Sequence, residues 1–299
     1  MVFKKMLAAL GVGGPSVDTV LDTPTARPGG FLDGHVHIQG GDADARIEHV
    51  VLALATGALD LHRESVADHF TVRAGTTESI PFRLAVPWET PITSVYDRPL
   101  RGMVMGVRTE LEIAGARDKG DLDPVSITPL PAQQAILDAF AELGFRFKHA
   151  EVEHGHLHGV PQRRPIYQEI EFWPPERYAG RVNEVELTFV ADPDGVEVLL
   201  ALDRRGGRDA YSRFGITHAA AGATNWTATV DGWLREATDR HFAAPAYGHG
   251  HGHDPHGRRG MGMGTVVAAG AAGIVGGLVA GEVIDEVFDD DGGDFGDFE

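Results

Sequence analysis

Ile80–Thr93 reads IPFRLAVPWETPIT. Ile80, Phe82, Leu84 and Val86 alternate with Pro81, Arg83, Ala85 and Pro87, the period-2 pattern of a strand with one buried face. Proline cannot donate to a sheet ladder, so Pro81, Pro87 and Pro91 confine this strand to a sheet edge or to its own ends. The strand breaks at Trp88-Glu89-Thr90, which reads as the rim of a β-sandwich with Trp88 capping the core.

Outward from it the chain continues as strand, turn, strand. Val17–Leu21, His35–Gln39, Arg46–Leu54, Asp68–Arg73 and Gly102–Ala114 are short apolar or β-branched runs separated by Gly and Pro. Almost no helical period interrupts them, which points to an antiparallel sandwich. Asp118–Pro124 reads as a charged turn cluster. Helix signals come next. Pro131 suits a first helical turn, Ile136, Leu137, Phe140 and Leu143 form one stripe, and Gly144 follows as a cap, so a helix is predicted to connect two lobes.

A second strand set comprises Phe145–Val152, Ile166–Phe172, Val185–Ala191 and Val196–Leu202, the last two joined by the turn Asp192-Pro193-Asp194-Gly195. Trp226, Val230, Trp233, Leu234 and Ala237 predict a closing helix capped by Thr224 or Asn225. The fold class expected is mainly β, two antiparallel β-sandwich lobes with a connecting helix. The divisions are 1–125 for the first lobe, 126–144 for the connector, 145–242 for the second lobe and 243–299 for a Gly/His-rich, apolar and acidic tail.

Composition bounds function. The 299 residues are 42% apolar, enough for two cores. The absence of cysteine removes disulfides, thiolate zinc sites and cysteine nucleophiles, and agrees with a cytoplasmic setting. A net charge of −18 argues against nucleic acid, which requires a basic field. Half of that charge sits in Glu282–Glu299, which carries nine acids and no base. At the other end, MVFKKMLAALGVGG has too short an apolar run for a signal peptide and reads as a short amphipathic helix using Val2, Phe3, Met6, Leu7 and Leu10.

Several words of this text, in this order, resemble the bacterial sporulation-control (stage-zero sporulation) protein family. They are KKMLAALGVGGPSVDTVLD from Lys4, GHVHIQGGDADARIEHVVLAL from Gly34, IPFRLAVPWETPIT from Ile80 and TELEIAGARDKGDLDPVSITPLP from Thr109. AILDAFAELGFRF from Ala135, YQEIEFWPP from Tyr167 and NEVELTFVADPDGVEVLLALDRR from Asn183 continue the series. The resemblance runs from about Phe3 to Leu234. It implies an arrestin-like fold and a cytoplasmic regulator of sporulation or development that works through protein contacts, with no catalytic residues to carry over. The segment His154–His158 and everything after about Phe242 depart from it.

Candidate chemistry is confined to histidines and the tail. Asp33-Gly34-His35-Val36-His37 imitates the first strand of metal-dependent hydrolases, but those need a (β/α)8 barrel that this strand-rich text does not supply. Two solvent-facing imidazoles on a sandwich strand are the simpler reading. His154, His156 and His158 share a face if extended and have spacing suited to zinc or nickel, although Gly155 and Gly159 suggest a loop. His249, His251, His253 and His256 form a Gly-His tract suited to weak metal binding or to pH sensing. Asp192 and Asp194 lack the downstream bidentate acid of a calcium loop and read as a turn. No cofactor-binding motif, phosphate loop or nucleophile elbow is present.

Gly260–Gly281 is a run of 22 uncharged residues, about 33 Å long as a helix. Gly273, Gly277 and Gly281 repeat G-x-x-x-G, a close-packing device. Its eight glycines make stable insertion poor, which favours self-association or reversible membrane contact through the tail. Val283, Ile284, Val287 and Phe288 suit a short amphipathic helix docking in a partner groove. The function expected is a non-enzymatic adaptor or scaffold with unknown regulatory protein partners. The alternatives are a His-cluster metal-dependent hydrolase, or a membrane-associated scaffold anchored by residues 260–288.

Overall fold

The computed structural model describes residues 13–57, 59–96, 98–113, 116–204, 210–240, 274–275, 278–279 and 282–284. They divide into two compact units within the helix that follows residue 130, at Gln134/Ala135, with Ala191–Pro193 grouped with the first unit.

The first unit is built on two antiparallel sheets. One is β1 (Ser16–Leu21), β3 (Phe31–Gln39) and β6 (Thr77–Ala85), in the order β1-β3-β6. The other orders β10 (Ala116–Pro124), β9 (Met105–Ile113), β4 (Ala45–Thr56) and β5 (Leu59–Val72) as β10-β9-β4-β5. β6 lies at an edge, as its prolines require. Leu32, Val36, Ile38 and Leu84 turn inward from the first sheet, and Ile47, Val50, Leu52, Leu54 and Leu111 are buried from the second. Thr19 on β1 and Thr109 on β9 share a buried hydroxyl hydrogen bond of 2.5 Å between the sheets. Trp88 closes on Gly29. A Cβ there would lie 2.5 Å from the indole, and its φ of 75° independently favours glycine.

Two expectations change here. The charged cluster 118–124 lies in β10 and is not a turn: it pairs with β9, and a register shift between Lys119 and Leu122 absorbs Gly120 and Asp121 as a bulge. β5 runs over 14 residues, far beyond the 68–73 segment expected. Its polar stretch is held by partners distant in sequence. Arg63 donates to both oxygens of Glu110, at 3.2 and 2.6 Å, and to Asp60 at 2.7 Å, while Arg108 reaches Asp60 and Glu110.

Within residues 126–144, those up to Gln134 group with the first unit and those from Ala135 with the second. β11 (Ser126–Ile127) pairs in parallel with β2 (Thr25–Ala26). The helix α1 (Pro131–Glu142) starts where the Gln133 side chain accepts from the Leu130 N–H at 2.8 Å, and Gly144 ends it with φ 88°. Its Phe140 is fully buried, with ring centroids 5.0 Å from Phe145 and 4.8 Å from Phe172.

The second unit holds one antiparallel sheet: β12 (Arg146–His154), β13 (Ile166–Trp173), β14 (Val182–Ala191), β15 (Gly195–Arg204) and β16 (Ala210–Thr217), in that order. The hairpin β14–β15 forms around 192–195 as expected, whereas β16, with Ser212, Phe214 and Ile216 buried, was not foreseen. Among the described residues, the layer laid on this sheet is helical. Phe140 of α1 meets Phe172, and Trp233 of α3 (Trp226–Arg240) stacks on Phe214 at 4.3 Å. The Asn225 carboxamide accepts from the Ala228 N–H at 3.2 Å and caps α3. A single turn, α2 (Glu176–Ala179), brings the Tyr178 hydroxyl to Asp231 of α3 at 3.2 Å.

Beyond β16 the short strands β17 (Ile274–Val275), β18 (Leu278–Val279) and β19 (Glu282–Ile284) join the same sheet. Val283 and Ile284 therefore pair with Ser212 and Tyr211 as a strand, which replaces the helix expected of them. The N-terminal helix expected at 2–10, His249, His251, His253 and His256, Gly273, Gly277 and Gly281, and Val287 and Phe288 lie outside the described residues. Among the described residues no helix is long and apolar enough to cross a membrane.

Candidate functional site

Side chains on a strand alternate between faces, so the β12–β13–β14 register decides which groups meet. Glu151 lies opposite Glu169, Glu153 opposite Tyr167, and His149 opposite Glu171. On the other side of β13, Glu169 lies opposite Thr188 and Glu171 opposite Glu186. Ile166, Ile170 and Phe172 therefore point to the core, and the acids gather on the outer face.

That face has three zones. At one end a register shift between Phe147 and His149 frees Lys148. The Lys148 ammonium pairs with Glu171 at 2.6 Å and with Glu184, and its Nζ stands 4.9 Å from the centre of the Trp173 ring. At the far end Leu157, Tyr167 and Val190 form an apolar cluster with Val160 and Leu199 packed against it. The 155–165 loop that supplies part of this cluster is held by Gln162. Its Nε2 donates to the carbonyls of Gly155 at 3.0 Å and Ile166 at 2.7 Å, and its Oε1 accepts from the Leu157 N–H at 2.8 Å.

Glu169 lies between these zones. It is 8% exposed, and one oxygen from each of Glu151, Glu153 and Glu169 lies within 4.8 Å of the others. Among the described residues no hydrogen bond or ion pair reaches the Glu169 carboxylate. Burial, and then the charges of Glu186, Glu153, Glu151 and Glu171, push its pKa up to about 8. Lys148, the nearby ammonium, serves the half-buried Glu171 and Glu184, and no ion pair to Glu169 forms among the described residues.

This cluster was not anticipated from sequence. The signal available was a pair of acid-x-acid words, Glu151-Val152-Glu153 and Glu169-Ile170-Glu171, each of which places two carboxylates on one strand face. Which carboxylates meet depends on a register the words do not carry.

The predicted histidines do not join it. His154 ends β12, and His156 and His158 follow in the loop, all exposed. Among the described residues the group of three potential ligands within reach of one ion is Glu151, Glu153 and Glu169. His35 and His37 stack at 6.2 Å on the outer face of β3, His35 lies 3.9 Å from Asp22, and the surrounding sheets are antiparallel where hydrolases of that motif need a parallel barrel. Asp192 and Asp194 sit in the hairpin turn.

The outer edge of the sheet is β12, which pairs on one side only among the described residues. Phe147 and Trp173, near the start of that edge, are 42% and 43% exposed beside Arg146 and Lys148.

Comparison with known proteins gives a consistent picture. Residues 3–206 match the Spo0M family, described as SpoOM protein. The sporulation-control protein spo0M of Bacillus subtilis (strain 168) is 32% identical over 216 residues, spanning 68% of this chain and 81% of its own length. The crystal structure of Spo0M, sporulation control protein, from Bacillus subtilis superposes with a TM-score of 0.62 at 25% identity, covering 77% of this chain and 99% of that one. With most of its length matched in sequence and in strand architecture, the chain belongs to the Spo0M family of sporulation-control proteins.

Proposed function

We propose that this chain is a cytoplasmic regulatory adaptor in sporulation or an equivalent developmental programme, and that it acts by docking an extended segment of a partner protein along the free edge of β12. The observation that carries the reading is that edge itself, whose outer hydrogen-bonding groups adjoin exposed Phe147 and Trp173 and the cations Arg146 and Lys148. A partner strand would pair with the backbone, set an apolar side chain against Phe147 on one face and another against Trp173 on the opposite face, and place an acid near Arg146. Membership in a family named for sporulation control supports a regulatory role. No chemical step is part of this reading.

The test is photo-crosslinking in cells from residue analogues placed singly at positions 147 and 173 of the full chain, with position 46 on the first unit as control. Discrete adducts at 147 and 173, lost when Arg146 is reversed to Glu, are expected. A chain that still supports its developmental phenotype yet gives no adduct at either position ends the docking reading.

A further inference from the structure

We propose that Glu151, Glu153 and Glu169 form a binding site for a hard divalent cation of the calcium class on the outer face of the second unit. The inference stands apart from docking at the β12 edge, because it rests on a different set of side chains and is tested by a different reagent.

Two observations carry it. The first is geometric. Three carboxylate oxygens lie within 4.8 Å of one another, so a point within about 2.8 Å of all three exists, and a small side-chain rotation brings that to the calcium–oxygen range of about 2.3–2.6 Å. Two of the ligands sit at i and i+2 on β12 and the third at the cross-strand position on β13, so backbone pairing fixes the donors before any ion arrives. The donor set is all carboxylate oxygen, the chemistry of calcium, magnesium and manganese. It lacks the imidazole and thiolate that select zinc or copper.

The second observation is that Glu169 is more than nine-tenths buried, is aimed into the cluster, and receives no hydrogen bond or cation from the described residues. A carboxylate on so buried a residue, with no partner among the described residues, is costly even where solvent still reaches its oxygens, and like charges facing across a strand pair add to the cost. The neighbouring acids are treated differently. Glu171 and Glu184 share Lys148, and His149 lies 3.8 Å from Glu151. Among the described residues, Lys148 serves one end of the face and no lysine or arginine pairs with Glu169.

The partly open Glu151 side leaves room for water to complete the coordination shell.

The test uses the full chain stripped with chelator and then titrated with calcium chloride at pH 8.5, followed by thermal melting and calorimetry. Glu169→Gln keeps the shape and removes the charge, Glu153→Gln serves as a second variant, and Asp289→Asn in the acidic run serves as control. Calcium is expected to raise the wild-type and Asp289→Asn melting temperatures, while Glu169→Gln melts higher without calcium and fails to respond. A full calcium response in both glutamine variants, or no response in the wild type, would overturn the site.

Discussion

Replacing Glu169 with Gln in chelator-treated protein tests the electrostatic reading of the β12–β14 face in a single measurement. In the unfolded chain this carboxyl ionises near the ordinary glutamate value of 4.5, whereas in the fold it holds its proton to about pH 8. Between those values the native state binds one more proton than the unfolded state, so stability is fully present below pH 4.5 and falls as pH rises, up to about pH 8. The slope is about 1.4 kcal/mol per pH unit, which sets a ceiling of about 5 kcal/mol across the window. Relaxation and solvent reaching the half-open Glu151 side reduce this, and about 2–3 kcal/mol is expected. The facing groups are Glu151 and Glu153 from β12, Glu171 from β13 and Glu186 from β14, whose charges act in the same direction as burial at Glu169. Urea unfolding at pH 5, 7 and 9 should therefore show Glu169→Gln near wild type at pH 5 and more stable by that amount at pH 9. A difference between variant and wild type that does not change with pH would refute the reasoning.

Two further perturbations follow from the cores. Phe140→Ala removes a fully buried ring packed on Phe145 and Phe172, and should cost about 3–5 kcal/mol in chemical unfolding, with the loss seen in the second unit. Glu110→Ala leaves Arg63 and Arg108 facing a position where a 2% exposed carboxylate side chain stood, and should cost about 2–4 kcal/mol. Alanine substitution of Arg63, whose side chain is 38% exposed, should cost less in the same assay.

Much of the architecture was legible because strand patterning is local. Alternation at Ile80–Val86 and the prolines beside it announced an edge strand, and β6 lies at the edge of its sheet. The stripe from Ile136 to Phe140 announced α1, and Asp192–Gly195 announced the β14–β15 turn. The failures have one cause. Asp118–Asp123 reads as a turn because Asp, Lys and Gly are turn formers, yet pairing with β9 imposes a strand and stores the extra residues in a bulge. The early part of β5 reads as irregular because its polar residues find partners, Glu110 above all, some fifty positions away. Val283 and Ile284 pattern acceptably as either helix or strand, and the free side of β16 decides for strand.

The amino-acid text by itself determined the antiparallel class, the positions of the two principal helices, the absence of thiol chemistry and the family words spread along the chain. It also placed pairs of acids on single strand faces, at Glu151/Glu153 and Glu169/Glu171. Only the tertiary structure decided that Glu151, Glu153 and Glu169 converge, that Lys148 turns toward Glu171 and Glu184, and that Glu169 is left buried without a cation. The physical reason is that a period of two encodes which face a side chain takes, whereas the register between strands, and with it the company each charge keeps, is fixed by hydrogen bonds and packing between segments distant in the chain.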